Sequence, residues 1–179
     1  ITLIGYGEVG KILAEDLRAQ GVAVAAFDLK LADERSGAPM RQHAAMYGVA
    51  LAGSYADALV GAELVISCVT ASQTVAVAQA CAPAIGQAFF LDFNSASPGA
   101  KAEAAGHIDG AGGRYVEGAV MTLISGYRIK VPLLLGGAHA AVLLPLITPL
   151  SFDAQVASER LGVASATKLS RSVMIKGLE

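Results

Sequence analysis

The first twenty-eight residues constrain this chain more than any other stretch. Ile1 to Ile4 reads as a buried strand, and Gly5-Tyr6-Gly7-Glu8-Val9-Gly10 follows at once. Val9, Ile12, Leu13 and Leu17 then recur at helical spacing until Gly21, and a second apolar run, Val22 to Phe27, closes on Asp28. Glycine supplies 20 of the 179 residues, so the spacing alone says little. The order strand, glycine turn, helix, strand, acid makes it specific. In that order the three glycines act differently. Gly5 permits the tight turn, Gly7 leaves the backbone bare to a pyrophosphate, and Gly10 lets the helix pack on the strand. The turn and first helical residues, Tyr6, Glu8 and Val9 included, present backbone amides to an anion. Asp28, 18 residues after Gly10, sets a carboxylate where an adenosine ribose would lie. The cofactor expected is NAD or NADP. Asp28 slightly favours NAD, since a 2′-phosphate would meet its charge, whereas Lys30, Arg35 and Arg41 stand close enough to rescue NADP.

The rest of the chain continues the alternation. Strands are expected at Val49–Leu51, Leu64–Val69, Phe89–Phe93, Tyr115–Val120, Pro132–Leu135 and Ser151–Ala157. Helices are expected at Ala38–Tyr47, Val75–Cys81, after Ser97-Pro98, at Ala138–Leu146 and from about Ser165. Ser54 with Asp57, and Thr70 with Gln73, have capping-box spacing. This succession predicts an α/β chain with a doubly wound, mostly parallel Rossmann sheet. The expected boundaries are a dinucleotide-binding domain over 1–162 and, from 163 to 179, the start of a long interdomain helix. That helix would lead to a helical carboxyl-terminal domain absent from this sequence, because its pattern meets no stop signal before Glu179.

Composition removes several function classes. Hydrophobic residues make up 54% and charged residues 16%, which describes a core-rich globular chain. A net charge of −2 without a basic stripe gives no reason to expect nucleic acid. The most apolar stretch, Ala140 to Leu150, is too short to span a bilayer and is broken by Pro145 and Pro149. Cys68 and Cys81 lie in apolar runs without ligand spacing, which fits a reducing, cytoplasmic setting. His43, His107 and His139 show neither metal spacing nor a partner acid at a useful offset, so no metal is expected.

Two further segments place polar residues where the apolar pattern breaks. Asp92-Phe93-Asn94-Ser95-Ala96-Ser97-Pro98 follows a strand, so Asn94 and Ser95 fall where open sheets bind their ligands. Gly162 to Ser172 opens a helix with Lys168 and Ser172 four apart on one face. A lysine among small residues at such a place is a candidate for proton transfer once desolvation lowers its pKa.

The glycine fingerprint, the D-x-N-S-x-S-P stretch and the lysine helix, in this order, resemble the 3-hydroxyacid dehydrogenase family. Within it the chain is most similar to 6-phosphogluconate-dehydrogenase-like oxidoreductases with a divergent helical carboxyl-terminal domain, down to the R-S-V-M-I-K-G-L-E run. The resemblance implies that Lys168 relays the substrate hydroxyl proton. It implies that Asn94 and Ser95 contact substrate and nicotinamide, and that Val69 and Thr70 lie along the cofactor. Met121, Thr122 and Ser172 fall on substrate positions. Two of these depart from better-known members, with Ser172 in place of an asparagine and Met121 in place of a serine.

The expected activity is hydride transfer between a small 3-hydroxy acid and the nicotinamide, with decarboxylation of the product left open. A cytoplasmic homodimer formed through the carboxyl-terminal domain is also implied. Two alternatives stand beside it. One is an imine reductase-like enzyme on the same scaffold, whose relatives generally replace the lysine. The other is a dinucleotide-binding protein without chemistry.

Overall fold

A computed structural model describes residues 1–176; Gly177, Leu178 and Glu179, the end of the R-S-V-M-I-K-G-L-E run, lie outside the described residues. The strands are β1 (Thr2–Ile4), β2 (Ala25–Phe27), β3 (Ala50–Leu51), β4 (Leu64–Ser67), β5 (Phe89–Asp92), β6 (Arg114–Val120), β7 (Leu133–Gly136) and β8 (Ala154–Ser158). They lie side by side as β3-β2-β1-β4-β5-β6-β7-β8. Strands β1 to β6 are mutually parallel, β7 is antiparallel to β6, and β8 is parallel to β7. The chain winds outward from β1 to β3 and then crosses back to β4. That reversal opens a crevice beyond the carboxyl ends of β1 and β4, where such sheets bind their ligands.

Neighbouring residues along the strands divide between the two faces, as a pleated sheet requires. Leu3, Ile66, Leu91 and Val116 pack with Leu13, Met40 and Leu143 of helices α1 (Glu8–Ala19), α2 (Glu34–Tyr47) and α7 (Ala140–Ile147). Ile4, Val65, Phe90 and Tyr115 pack on the other face with Ala58, Val77 and Ala104 of α3 (Tyr55–Leu59), α4 (Thr74–Cys81) and α5 (Pro98–Gly110). The doubly wound, mostly parallel sheet expected from the sequence is what forms. Between β6 and β7 the chain makes only a short helix, α6 (Ile124–Tyr127), and a single tight turn. A parallel return needs a longer crossover, so β7 reverses direction. The last helix, α8 (Val163–Lys176), packs against β6 beside α5.

Several boundaries differ from the sequence reading, each for a local reason. Residues 22–24 do not join β2, which begins at Ala25. Helix α2 starts four residues early, because the Asp33 carboxylate accepts from the Ser36 amide and caps it, with Pro39 inside the helix. Ser54 does cap α3, accepting from the Asp57 amide at 3.1 Å. Thr70 caps nothing; its hydroxyl lies 3.3 Å from that of Ser72 while a tight turn leads into α4. β8 begins at Ala154 and runs on to Ser158.

His43 corrects a second expectation. Its Nδ1 lies 2.9 Å from the Tyr6 hydroxyl and its Nε2 lies 2.9 Å from the Glu15 carboxylate. The partner acid stands on α1, 28 residues away, and only the packing of α2 on α1 brings them together. Among the described residues, no helix is long and apolar enough to cross a membrane.

Candidate active site

The glycine turn is built from backbone contacts that exclude a side chain at two positions. Gly5 has φ +97°, and a Cβ there would sit 2.5 Å from the Cys68 carbonyl oxygen. A Cβ on Gly10 would collide with the Gly5 carbonyl, so helix and strand approach through that hydrogen. Gly7 differs: a Cβ would meet nothing within 4 Å. The space over Gly7 is open, which is the fit a pyrophosphate requires. The first bond of α1 runs from the Lys11 amide to the Gly7 carbonyl, so the amides of Glu8, Val9 and Gly10 have no helical acceptor. They are the groups available to an anion.

Asp28 ends β2 and organises this corner. Its Oδ2 accepts from the Tyr6 amide at 2.8 Å and its Oδ1 from the Lys30 amide at 2.9 Å. It still lines a cavity of about 340 Å³ with Gly7, Lys30, Tyr55, Gln73 and Val77. The Tyr6 side chain is fully buried away from the cleft, and its amide is spent on Asp28. Tyr6 and Gly10 therefore shape the turn without lining the cavity, whereas Gly5, Gly7, Glu8, Val9 and Asp28 line it.

Glu8, Val9, Cys68, Val69 and Thr70 are shared with a second cavity of about 710 Å³ over the ends of β4, β5 and β6. Asn94 and Ser95 contribute to it from β5, Met121 and Thr122 from beyond β6, and Lys168 and Ser172 from α8. The sequence-derived substrate residues are thus gathered around one space. Phe93, Val120, Leu123, Ile124 and Ser125 join them, and no sequence signal marks these. Cys68 lies between the two cavities with its thiol donating to the Gly5 carbonyl at 3.1 Å. Burial pushes that thiol up to about 12, so it is an inert wall group.

Asn94 is buried, and its amide is largely committed to structure. Its Oδ1 accepts from the Val69 amide at 2.7 Å and its Nδ2 donates to the Ser67 hydroxyl at 3.0 Å. It thereby locks the loop after β4 to the loop after β5. Ser95 is exposed and accepts from Lys168 Nζ at 2.7 Å. Burial, and then the charge of Lys101, hold the Lys168 pKa below that of an ordinary lysine.

Near Ser95 lies a buried polar row, to which the candidate residues named from the sequence do not extend. Ser67, Asp92 and Glu117 stand in register on β4, β5 and β6, each fully buried. Asp92 accepts from the Tyr115 hydroxyl at 2.6 Å and the Asn94 amide at 2.8 Å. Glu117 accepts from the amides of Gly162 at 2.7 Å and Ser165 at 2.8 Å, and so anchors the first turn of α8. Gly136 on β7 makes room for it, since a Cβ there would lie 2.7 Å from the Glu117 carboxylate. Two acids inside apolar strands are the available signal.

Comparison with known proteins agrees with this geometry. Residues 1–94 match the family described as NADP oxidoreductase, coenzyme F420-dependent. A conserved hypothetical protein from Sinorhizobium meliloti 1021 is 37% identical, with a TM-score of 0.93 over 99% of this chain and 60% of its own. The conserved protein MTH1747, of unknown function and described as structurally similar to 3-hydroxyacid dehydrogenases, is 26% identical, with a TM-score of 0.85 over 99% of this chain and 64% of its own. An imine reductase from Myxococcus stipitatus in complex with NADP+ shares the fold at 18% identity, with a TM-score of 0.82 over 99% of this chain and 61% of its own. The chain therefore spans less than two thirds of each of these structures. No curated protein sequence matches it. From the fingerprint, the fold and these matches together, the chain belongs to the NADP oxidoreductase, coenzyme F420-dependent family and has the architecture of the 3-hydroxyacid dehydrogenases.

Proposed function

We propose that residues 1–162 form the dinucleotide-binding part of an NAD(P)-dependent oxidoreductase, and that the helix from 163 carries its acid–base lysine onward. The observation that carries the reading is the bond from Lys168 to Ser95 at the wall of the larger cavity, which shares Glu8, Val9 and Val69 with the cavity that Gly7 lines. A nicotinamide bound along Val69 and Thr70 would supply the hydride acceptor. The residues of this chain would do the rest. A small 3-hydroxy acid would sit between Ser95, Met121, Thr122 and Ser172. Lys168, its proton affinity reduced by burial and by Lys101, would take the hydroxyl proton. Ser95 would hold the lysine in place until the substrate hydroxyl replaces it, and Asn94 would fix the floor of the site. Met121 brings an apolar, adaptable side chain to the substrate wall, which favours a substrate with an apolar portion there.

Either NAD or NADP would fit, with NAD slightly favoured. Asp28 puts a carboxylate at the ribose end, and Arg41 is held by the Leu31 carbonyl at 3.0 Å and by Glu34 at 2.8 Å. Lys30 and Arg35 remain as the cations open to a 2′-phosphate. Two unpaired thiols, Cys68 and Cys81, support a reducing, cytoplasmic setting. The homodimer rests on the family resemblance.

Lys168→Ala in the full-length protein tests the reading. Dinucleotide affinity should stay nearly unchanged, while turnover of any hydroxy acid found active should fall roughly 10²–10⁴-fold. A fully active mutant would leave a binding protein, or chemistry through another group, as the better account.

A further inference from the structure

Lys101 is a buried cation near the site that the proposed reaction does not use. It lies on α5, is 1% exposed, and donates from Nζ to the Asp92 carbonyl at 3.0 Å and the Gly118 carbonyl at 2.8 Å. The Asp92 carboxylate stands 3.7 Å away. All three neighbours are acceptors and match the three N–H donors of an ammonium, whereas a neutral amine has only two to give. Burial lowers the proton affinity of Lys101 and raises that of Asp92; the mutual attraction of the two charges and these bonds oppose it. The three acceptors around Nζ, one of them a carboxylate, favour the charged pair against burial.

A small space of about 60 Å³ lies beside Ser95, and both Lys101 and Lys168 line it. Asp92 and Glu117 are not part of its lining. The Asp92 carboxylate is turned to Tyr115, the Asn94 amide and Lys101 itself, and that of Glu117 to the first turn of α8. The remaining charged groups near Lys168 are Arg171 on its own helix, whose guanidinium reaches the Met121 carbonyl, and Glu8 across the larger cavity. Among the described residues, the charge presented to Lys168 through the small space is therefore that of Lys101.

We propose that Lys101 is a positioning residue for Lys168: a fixed, buried cation that keeps the Lys168 amine ready to accept a proton. The two carbonyls that Lys101 ties together end β5 and sit within β6, so the same side chain also holds the Ser95 loop at its distance from α8. This deepens the proposed function and rests on Lys168 as the proton carrier. Its test needs neither substrate nor cofactor, so the two can fail separately.

The lysines of the full chain would be reductively methylated with ¹³C, and the Lys168 signal, assigned by its loss in Lys168→Arg, followed against pH. In the wild type Lys168 should titrate below the exposed lysines. Lys101→Met keeps the packing and removes the charge, and the Lys168 midpoint should rise by about one pH unit. Lys101→Arg keeps the charge and alters the packing, and the midpoint should stay low. Should Lys101→Met fold poorly around an unpaired Asp92, the double variant with Asp92→Asn removes both charges, and the midpoint should still rise, by less than in Lys101→Met. A midpoint that rises equally in Met and Arg variants, or in neither, would overturn the proposal, because a packing role does not follow charge.

Discussion

Around the glycine turn, the caps act over short stretches of chain, and Asp28 reaches back 22 residues to the Tyr6 amide. Asp33 caps α2 and Ser54 caps α3, each across three residues, and Asp28 accepts from an amide two residues on. On the opposite wall the ties are long: Glu117 reaches 45 and 48 residues to the start of α8, and Lys168 reaches 73 residues to Ser95. The first wall is set by local turn and cap chemistry, with bare backbone facing the ligand. The second is assembled by topology, which brings Asp92, Lys101 and Glu117 together in a dry place. A cap lost on the first wall leaves the cleft in shape. A buried charge lost on the second leaves its partners unpaired and frees the helix that bears Lys168.

Stability measurements can break this contrast. Glu117→Ala removes both acceptors of the α8 first turn and one counter-charge of Lys101, and should cost about 3 kcal/mol or more by urea unfolding. Ser54→Ala removes one exposed cap and should cost about 1 kcal/mol. Equal losses would mean that the long ties carry no more weight than the local ones. A smaller effect sharpens the comparison on the cofactor side. Asp28→Ala should narrow the proposed preference for NADH over NADPH by roughly fivefold, the scale of one charge at a partly exposed site, in paired calorimetric titrations. A wild-type preference for NADPH would show that Lys30 or Arg35 outweighs the carboxylate.

The same contrast decides what can be read from the sequence. The glycine turn and the capping residue Ser54 act within short spans, and Asp28 falls at the fixed offset of the glycine fingerprint, so spacing locates them. The strands of the sheet are legible because each alternates between two apolar faces, as Leu3 with Ile4 and Phe90 with Leu91 do. The start of helix α2 is hidden because its cap, Asp33, lies ahead of a proline that reads as a boundary. His43 looks isolated in the sequence because Glu15 is near it only after α1 and α2 pack. The partnership of Asp92, Glu117 and Lys101 spans three elements, and no periodicity reports it. Asn94 is recognisable as a candidate from its place after β5, but its commitment to Ser67 and Val69 exists only in three dimensions.

Gly7 offers the most direct test that the cleft is a dinucleotide site. Its missing side chain faces open space, so Gly7→Ala should leave the fold and melting temperature unchanged. The added methyl would nevertheless occupy the approach of the pyrophosphate. Titration calorimetry of both proteins with NADH and with NADPH should show saturable binding to the wild type and at least about tenfold weaker binding to the mutant, a loss of about 1.4 kcal/mol. A folded Gly7→Ala protein that binds either dinucleotide as tightly as the wild type would contradict the account.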